Sequence, residues 1–584
     1  MCRVLCDKQC NHTIMLGLFS HYLQSNQAPS EDEACEIKAL RVNPLKEISI
    51  IDVEIERIEG ILNSLTQKRA RIQNSIDDCN TILAPVRRLP MDVLGVIFCH
   101  CLVTHRNPIM SPSEAPILLT HICHDWRSIA LSIPRLWSRF YIPLLHSVLH
   151  YRPETLSTVL ERERRMEARS EEVQRWLKLS AACPLSITMM PTGDPTSHPP
   201  LLDAIIQSSR RWQQLELGFL SPDSDVSNRL LSLSADDLSM LRELRLHSLQ
   251  SSTISMHTED LWYQSGLLAA KGLRSIFIAD IHQINAFPVG IPPNWKNLHH
   301  LFIHSPILLG LANQILSCCS NLVACLLEIA AQWDGDPTHH DDAITSLPPL
   351  PHLVFLSLQG DITGCNQLAS NIQAPSLRIL DYQGYFPSED EDFGLLSLLR
   401  GINALETLRV DHHNLSENNA LKYYTLVPSV THLVLGRSPK RRYRYFPSHY
   451  AHPEHGNLIN TLYEIKHQYS PDSVPTVLFP SLEVFEAYDI SSVPDTMLLE
   501  FIMARIDAAR SNTAVSKLRK VVVEFSRTRQ TDIVPQALDY ARTAGIELKL
   551  DLTYHTGKEL DVTLSPSFGL SMDDVSWIYP LYDY

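Results

Sequence analysis

Residues 353–358 read Leu353-Val354-Phe355-Leu356-Ser357-Leu358, and the phrase they spell, L-x-x-L-x-L, returns again and again in the chain. Its last two apolar residues stand two apart, so in an extended strand both side chains project to one side. The first stands three residues earlier, where the chain enters the strand. The same phrase is read at Leu241-Leu244-Leu246, Leu273-Ile276-Ile278, Leu298-Leu301-Ile303, Leu322-Cys325-Leu327, Leu377-Leu380-Tyr382, Leu405-Leu408-Val410, Val430-Leu433-Leu435, Leu482-Phe485-Ala487 and Leu518-Val521-Val523. Partial versions lie at Leu215-Leu217 and Ile546-Leu548-Leu550.

From 244 to 433 the central residue advances in steps of 32, 25, 24, 31, 24, 28 and 25, in or near the range of leucine-rich repeats. Helical stretches such as 201–206 and 498–508 fall between phrases. One strand and one helix per unit predict a mixed α/β chain whose residues 175–560 form a leucine-rich-repeat solenoid. Most phrases lack the asparagine or cysteine that bonds turn backbone in regular repeats, so the expected arc is irregular. A doubly wound α/β domain is the competing reading, since it also alternates strands and helices. Residues 436–475, rich in Pro, Tyr and His, read as an insertion, and 561–584 as a C-terminal tail.

Upstream the period changes. Ile51, Ile55, Ile58, Leu62, Leu65, Arg69, Ile72, Ile76, Cys79 and Leu83 follow one another in alternating steps of four and three. Such a 3.5-residue period is the seam of a coiled coil, here within an amphipathic helix over 45–84. Self-association through 51–83 is one expectation, and packing against the chain's own domain is the other. Residues 1–44 show no sustained period and are expected to be poorly ordered. A charged helix is expected over 151–174.

Pro85 stops the long helix. Then follow Leu89-Pro90, a helix with Val93, Leu94, Ile97 and Phe98 on one face, a second helix over 115–123, Trp126-Arg127, Ala130 and Leu136-Trp137. So few helices would not normally hide that many large apolar side chains, and a protein partner or the following domain is the natural cover. Residues 87–137, within a helical module over 85–150, resemble an F-box. The helix running into Pro85-Val86-Arg87-Arg88-Leu89-Pro90 and the Pro134-Arg135-Leu136-Trp137 ending are similar to F-box families expanded in mushroom-forming fungi. The departure is the loop from His100 to Glu114, longer than in compact F-boxes.

The resemblance implies a small all-α module that docks the Skp adaptor of a Skp–cullin–F-box ubiquitin ligase, and through it the cullin. It implies adaptor contacts at Leu89, Pro90, Val93, Leu94, Ile97, Phe98, Trp126, Leu136 and Trp137. The remainder would bring an unidentified protein substrate and perform no chemistry. The alternative is a scaffold outside any ligase, dimerising through the heptad helix.

Composition sets the outer bounds. A formal charge of −15 disfavours nucleic acid as a partner, because phosphate binding needs a basic face. Thirteen cysteines at irregular spacing, none beyond Cys365, read as reduced thiols of a cytoplasmic or nuclear protein. No apolar run reaches the roughly 18 residues of a membrane span. Arg441, Arg442, Tyr443, Arg444 and Tyr445 interleave charge with stacking rings and are the candidate target-binding cluster. The acidic run 388–392, the Asp/His cluster 334–342 and Cys2, Cys6, Cys10 and His12 read as polar loops rather than ligand sites. Their spacing fits no calcium loop or zinc pair. No G-x-S-x-G, Walker, H-E-x-x-H or G-x-G-x-x-G motif is present, so no enzyme, metal or cofactor is expected.

Overall fold

A computed structural model describes residues 16–144, 156–191, 199–219, 225–248, 265–279, 290–330, 347–385, 393–411, 417–436, 478–490 and 493–554. Two compact units divide the chain, residues 1–94 and residues 95–584.

In the first unit the dominant element is α1, Glu31–Leu83, a single helix of 53 residues. Ser30 caps it: its hydroxyl accepts from the Glu33 amide while the Glu33 carboxylate accepts from the Ser30 amide, a reciprocal capping box. The helix therefore starts well before residue 45 and runs through Pro44. Ala84 and Pro85 end it. None of its residues is buried.

The helix α2, Met91–His100, contains the boundary between the units. The second unit continues with α3 (Ile117–Ile122), α4 (His124–Ser132) and β1 (Arg139–Leu144). Next come α5 (Leu156–Leu179), β2 (Leu185–Pro191), α6 (Pro199–Gln207), β3 (Trp212–Phe219), α7 (Asp225–Leu231), β4 (Glu243–Ser248), β5 (Ser275–Ala279) and β6 (His300–Ile307). Then α8 (Leu309–Cys318), β7 (Ala324–Ile329), β8 (Phe355–Asp361), α9 (Ile362–Asn371), β9 (Ile379–Tyr385), α10 (Phe393–Arg400), β10 (Thr407–Val410), α11 (Glu417–Leu426) and β11 (His432–Leu435) follow. The series closes with β12 (Val484–Ile490), α12 (Asp495–Ser511), β13 (Lys520–Phe525), α13 (Val534–Thr543) and β14 (Lys549–Tyr554).

All fourteen strands are parallel and belong to one sheet, in the order of the sequence. The leucine phrases set its register. Phe140, Ile187, Leu215, Leu244, Ile276, Leu301, Cys325, Leu356, Leu380, Leu408, Leu433, Phe485, Val521 and Leu550 face one another across every pair of neighbouring strands. All but the last are fully or almost fully buried. The residues two further on form a second apolar row from Ile142 to Leu552. The leading leucines of the phrases, such as Leu273, Leu322 and Leu377, are also buried and lie in the turns that deliver the strands. Between the two apolar rows, pointing the opposite way, runs a mixed row that includes Tyr141, Thr188, Glu216, Arg245, Phe277, Asp381 and Glu486.

This sheet corrects the expected architecture in two ways. The sequence predicts a separate all-α F-box-like module followed by an irregular solenoid. Instead the Pro134–Trp137 turn delivers the chain straight into β1, the first strand of the sheet. The end of this segment joins the sheet's core: Trp137 of the turn meets Trp176 of α5 edge-on at 5.0 Å, and Phe140 of β1 meets the same ring at 5.8 Å. In place of a solenoid of like units there is one α/β sheet of 14 parallel strands with unequal crossovers. A helix of 24 residues joins β1 to β2, while only the 3₁₀ turn Pro293–Asn297 is described between β5 and β6. The doubly wound alternative fails too, because such a sheet reverses its strand order at a switch point and this one does not.

The missing turn asparagines are replaced by the backbone. The residue after each leading leucine donates its amide to the equivalent carbonyl one strand back. Arg274 N bonds Arg242 O (2.8 Å), His299 N bonds Arg274 O (2.8 Å), Val323 N bonds His299 O (2.8 Å) and Val354 N bonds Val323 O (2.8 Å). The same step recurs at Arg378, Glu406, Thr431, Glu483 and Arg519. Polar backbone that would otherwise be buried unpaired is satisfied mainly by other backbone, with side chains such as Thr431, whose hydroxyl donates to Glu406 O, adding to it.

Candidate functional site

The helices α2 to α4 are where sequence expectation is most specific. Phe98 is fully buried, and its ring lies 4.9 Å from that of half-buried Trp126. Leu102, Leu119, Ile129 and Ala130 complete the buried side. The outward side is also apolar: Val96 is 60 % exposed, Ile97 40 %, Leu118 40 % and Ile122 55 %. Such short helices normally carry polar residues outward, so this surplus is unusual for a surface in water.

The long loop after α2 is held firmly. Arg106 and Glu114 form a two-bond ion pair at 2.7 and 2.8 Å, and both are largely buried. Glu114 also accepts the Ile109 amide. Tyr141 N donates to Pro108 O (2.9 Å), and Ile109 bridges Tyr141 in parallel fashion. Asn107, buried, bonds Thr188 (3.0 Å) and accepts from Ser186 (3.0 Å), which ties the loop to β2. Arg139 reaches back to the Arg106 carbonyl. The loop that departs from compact F-boxes is thus a brace between the helices and the sheet.

Of the expected adaptor-contact residues, Pro90, Val93 and Ile97 are exposed and Leu89 and Trp126 half-buried. Leu94 and Phe98 are buried. Leu136 and Trp137 are core: both are nearly inaccessible, and the Trp137 indole donates to Ala130 O at 2.9 Å. The sequence does not single out Val96 or Leu118, and it marks Ile122 only as part of the Ile122-Cys123 step of the F-box resemblance, not as an adaptor contact. Their helical spacing is visible there, but which side the core takes is not. Arg441, Arg442, Tyr443, Arg444 and Tyr445 lie outside the described residues. So do the clusters at 388–392 and 334–342 and Cys2, Cys6, Cys10 and His12.

The mixed face of the sheet gathers a second set of polar and aromatic groups. Glu216 accepts from Thr188 (2.9 Å) and bonds His247 (3.2 Å). The Phe277 ring lies 5.2 Å from both His247 and His304. Further along, Glu486 bonds Lys520 (2.9 Å) and Tyr488 (2.8 Å) and lies 3.6 Å from His432. Burial pushes the Glu486 carboxyl up, but His432, Lys520 and Tyr488 outweigh it and hold it far below the usual carboxylate range. Burial drives the Tyr141 hydroxyl up to about 12. These groups are engaged with one another, and most of them, including Thr188, Glu216, His247, Phe277 and His304, are buried. None forms a nucleophile–base pair.

Among the described residues there is no group of three or more His, Cys, Asp or Glu able to hold a metal ion. No described helix is long and apolar enough to cross a membrane. No family model and no curated protein matches the chain.

Proposed function

We propose that the chain is the substrate-recognition subunit of a Skp–cullin–F-box ubiquitin ligase. In this reading α2 to α4 dock the Skp adaptor, and the remainder of the chain selects a protein target. The chain contributes binding, and the chemistry belongs to its partners. The carrying observation is the exposed apolar set Val96, Ile97, Leu118 and Ile122 on helices whose opposite side is already packed. Water-exposed apolar side chains of this density are stabilised by a protein surface that covers them, and a few such anchors carry most of the energy of a complex. The order Leu89-Pro90, α2, Ile122-Cys123, Trp126-Arg127 and Leu136-Trp137 is the F-box resemblance that gives the partner its name.

The test uses the full chain and a purified Skp adaptor. Val96→Asp combined with Ile97→Asp is expected to weaken binding at least thirty-fold, about 2 kcal/mol, while circular dichroism stays unchanged because both residues are exposed. Leu89→Ala with Pro90→Ala is expected to act in the same direction. No binding by the wild type, or equal binding by the aspartate variant, would overturn the reading.

A further inference from the structure

The apolar seam of α1 is uncovered along its whole length. A helix of 53 residues is about 80 Å long, and in water such a helix owes most of its stability to packing of its apolar face. Yet no residue of α1 is buried, and Ile51, Ile55, Ile58, Leu62, Leu65, Ile72 and Ile76 are each about half exposed. The seam keeps a strict 3.5-residue period. A straight helix lying on a domain presents a 3.6-residue stripe, whereas 3.5 suits a helix that winds around another helix.

Charge and register choose the occupant. With Ile55, Leu62, Arg69 and Ile76 as a positions and Ile51, Ile58, Leu65, Ile72 and Cys79 as d positions, a parallel pair sets Arg69 against Arg69 in the seam. Its flanks place Glu47 opposite Asp52 and Glu54 opposite Glu59. All three pairs are repulsive, and the bond from Arg57 to Glu54 offsets only one of them. An antiparallel pair with Leu62 opposite Leu65 removes all three. It sets Ile55 against Ile72, Ile51 against Ile76, Ile48 against Cys79 and Arg69 against Ile58, with Glu59 one residue further on. No like charges then face each other on the flanks. Sliding one heptad one way brings Lys68 against Lys68, and sliding the other way puts Pro44 opposite Ile76. We infer that α1 pairs with α1 of a second copy of this chain, antiparallel, with Leu62 and Leu65 at the centre. This assembly is independent of the adaptor reading.

Sedimentation equilibrium of the full chain is expected to give twice the 66.2 kDa of one copy. Leu62→Asp with Leu65→Asp is expected to give a single copy with the sheet intact by circular dichroism. Val53→Asp, on the outer side of the same helix, should leave the dimer unchanged, which separates lost pairing from a damaged helix. Orientation is read by mild oxidation and peptide mapping. In the antiparallel pair the two Cys79 thiols stand about 45 Å apart and do not join, while the Ile48→Cys variant forms a disulfide between its introduced thiol and Cys79 of the other copy. A wild-type chain that stays single at tens of micromolar, a dimer indifferent to the seam aspartates, or a Cys79–Cys79 bond would each overturn the inference.

Discussion

Asp495 shows what one residue holds together at the end of the sheet. It opens α12 and is 1 % exposed. Its carboxylate accepts from the Gln530 amide (2.8 Å), the Thr531 amide (2.8 Å), the Arg527 guanidinium (2.7 Å) and the Tyr554 hydroxyl (3.3 Å). One side chain therefore joins α12, the segment after β13 and the last strand, β14. Burial pushes the carboxyl up, but the Thr531 amide, Arg527 and the Gln530 amide together hold it below the usual carboxylate value. A depressed carboxylate contributes stability that is present above its unfolded value and is lost as pH falls through its folded value. Asp495→Ala is expected to cost about 3 kcal/mol at pH 7, because Arg527 and two amides lose their acceptor. Urea unfolding measures this, and the gap between variant and wild type should shrink below about pH 4. A gap of the same size at pH 3 and pH 7 would contradict the account. Nothing in the sequence marks Asp495, since its donors lie more than 30 residues away.

At the scale of elements, two glycines test whether a helix is packed or bare. Gly394 lies in α10, and a Cβ there would come within 1.8 Å of the Asn366 carbonyl oxygen of α9, a distance no non-bonded pair of atoms tolerates. Alanine's helix preference is worth about 1 kcal/mol over glycine, and the forced separation of two packed helices costs more. Gly394→Ala is therefore expected to lower the melting temperature. Gly60 in α1 has no atom within 4 Å of its would-be Cβ, so Gly60→Ala is expected to raise stability by up to about 1 kcal/mol and increase helicity. Equal responses at the two sites would argue against the packing described. The heptad period makes α1 legible, and the L-x-x-L-x-L phrases make nearly every strand from β4 onward legible. β1 is not, because Arg139-Phe140-Tyr141-Ile142-Pro143-Leu144 carries no leading leucine and contains a proline.

For the molecule as a whole, the sheet is a linear series in which each strand bonds only its sequence neighbours. Its interior strands are therefore flanked on both sides, and β1 is flanked by the Pro108–Ile109 segment, whereas no described strand lies beyond β14. The residues of β8 are mostly buried, whereas those of β14 alternate between exposed and half-exposed. Hydrogen exchange is expected to be at least ten-fold faster at 549–554 than at 355–360, since opening at an end disturbs one neighbour rather than two. Uniform protection along the sheet would mean that it opens only as a single unit.

The sequence by itself determined the phase of the strands and the seam of α1, because both follow from side-chain periods of two and 3.5 that any short window reveals. It also marked the chain order of the F-box-like segment. Only the tertiary structure decided that this segment feeds β1 and shares its core through Trp137, Phe140 and Trp176. Only there does the backbone make the turn bonds that asparagine makes in regular repeats, and only there do Val96, Leu118 and Ile122 prove to face outward. Local periodicity says which side of an element is apolar. Which distant surface covers that side depends on pairings between residues far apart in the chain, and those exist only once the sheet has formed.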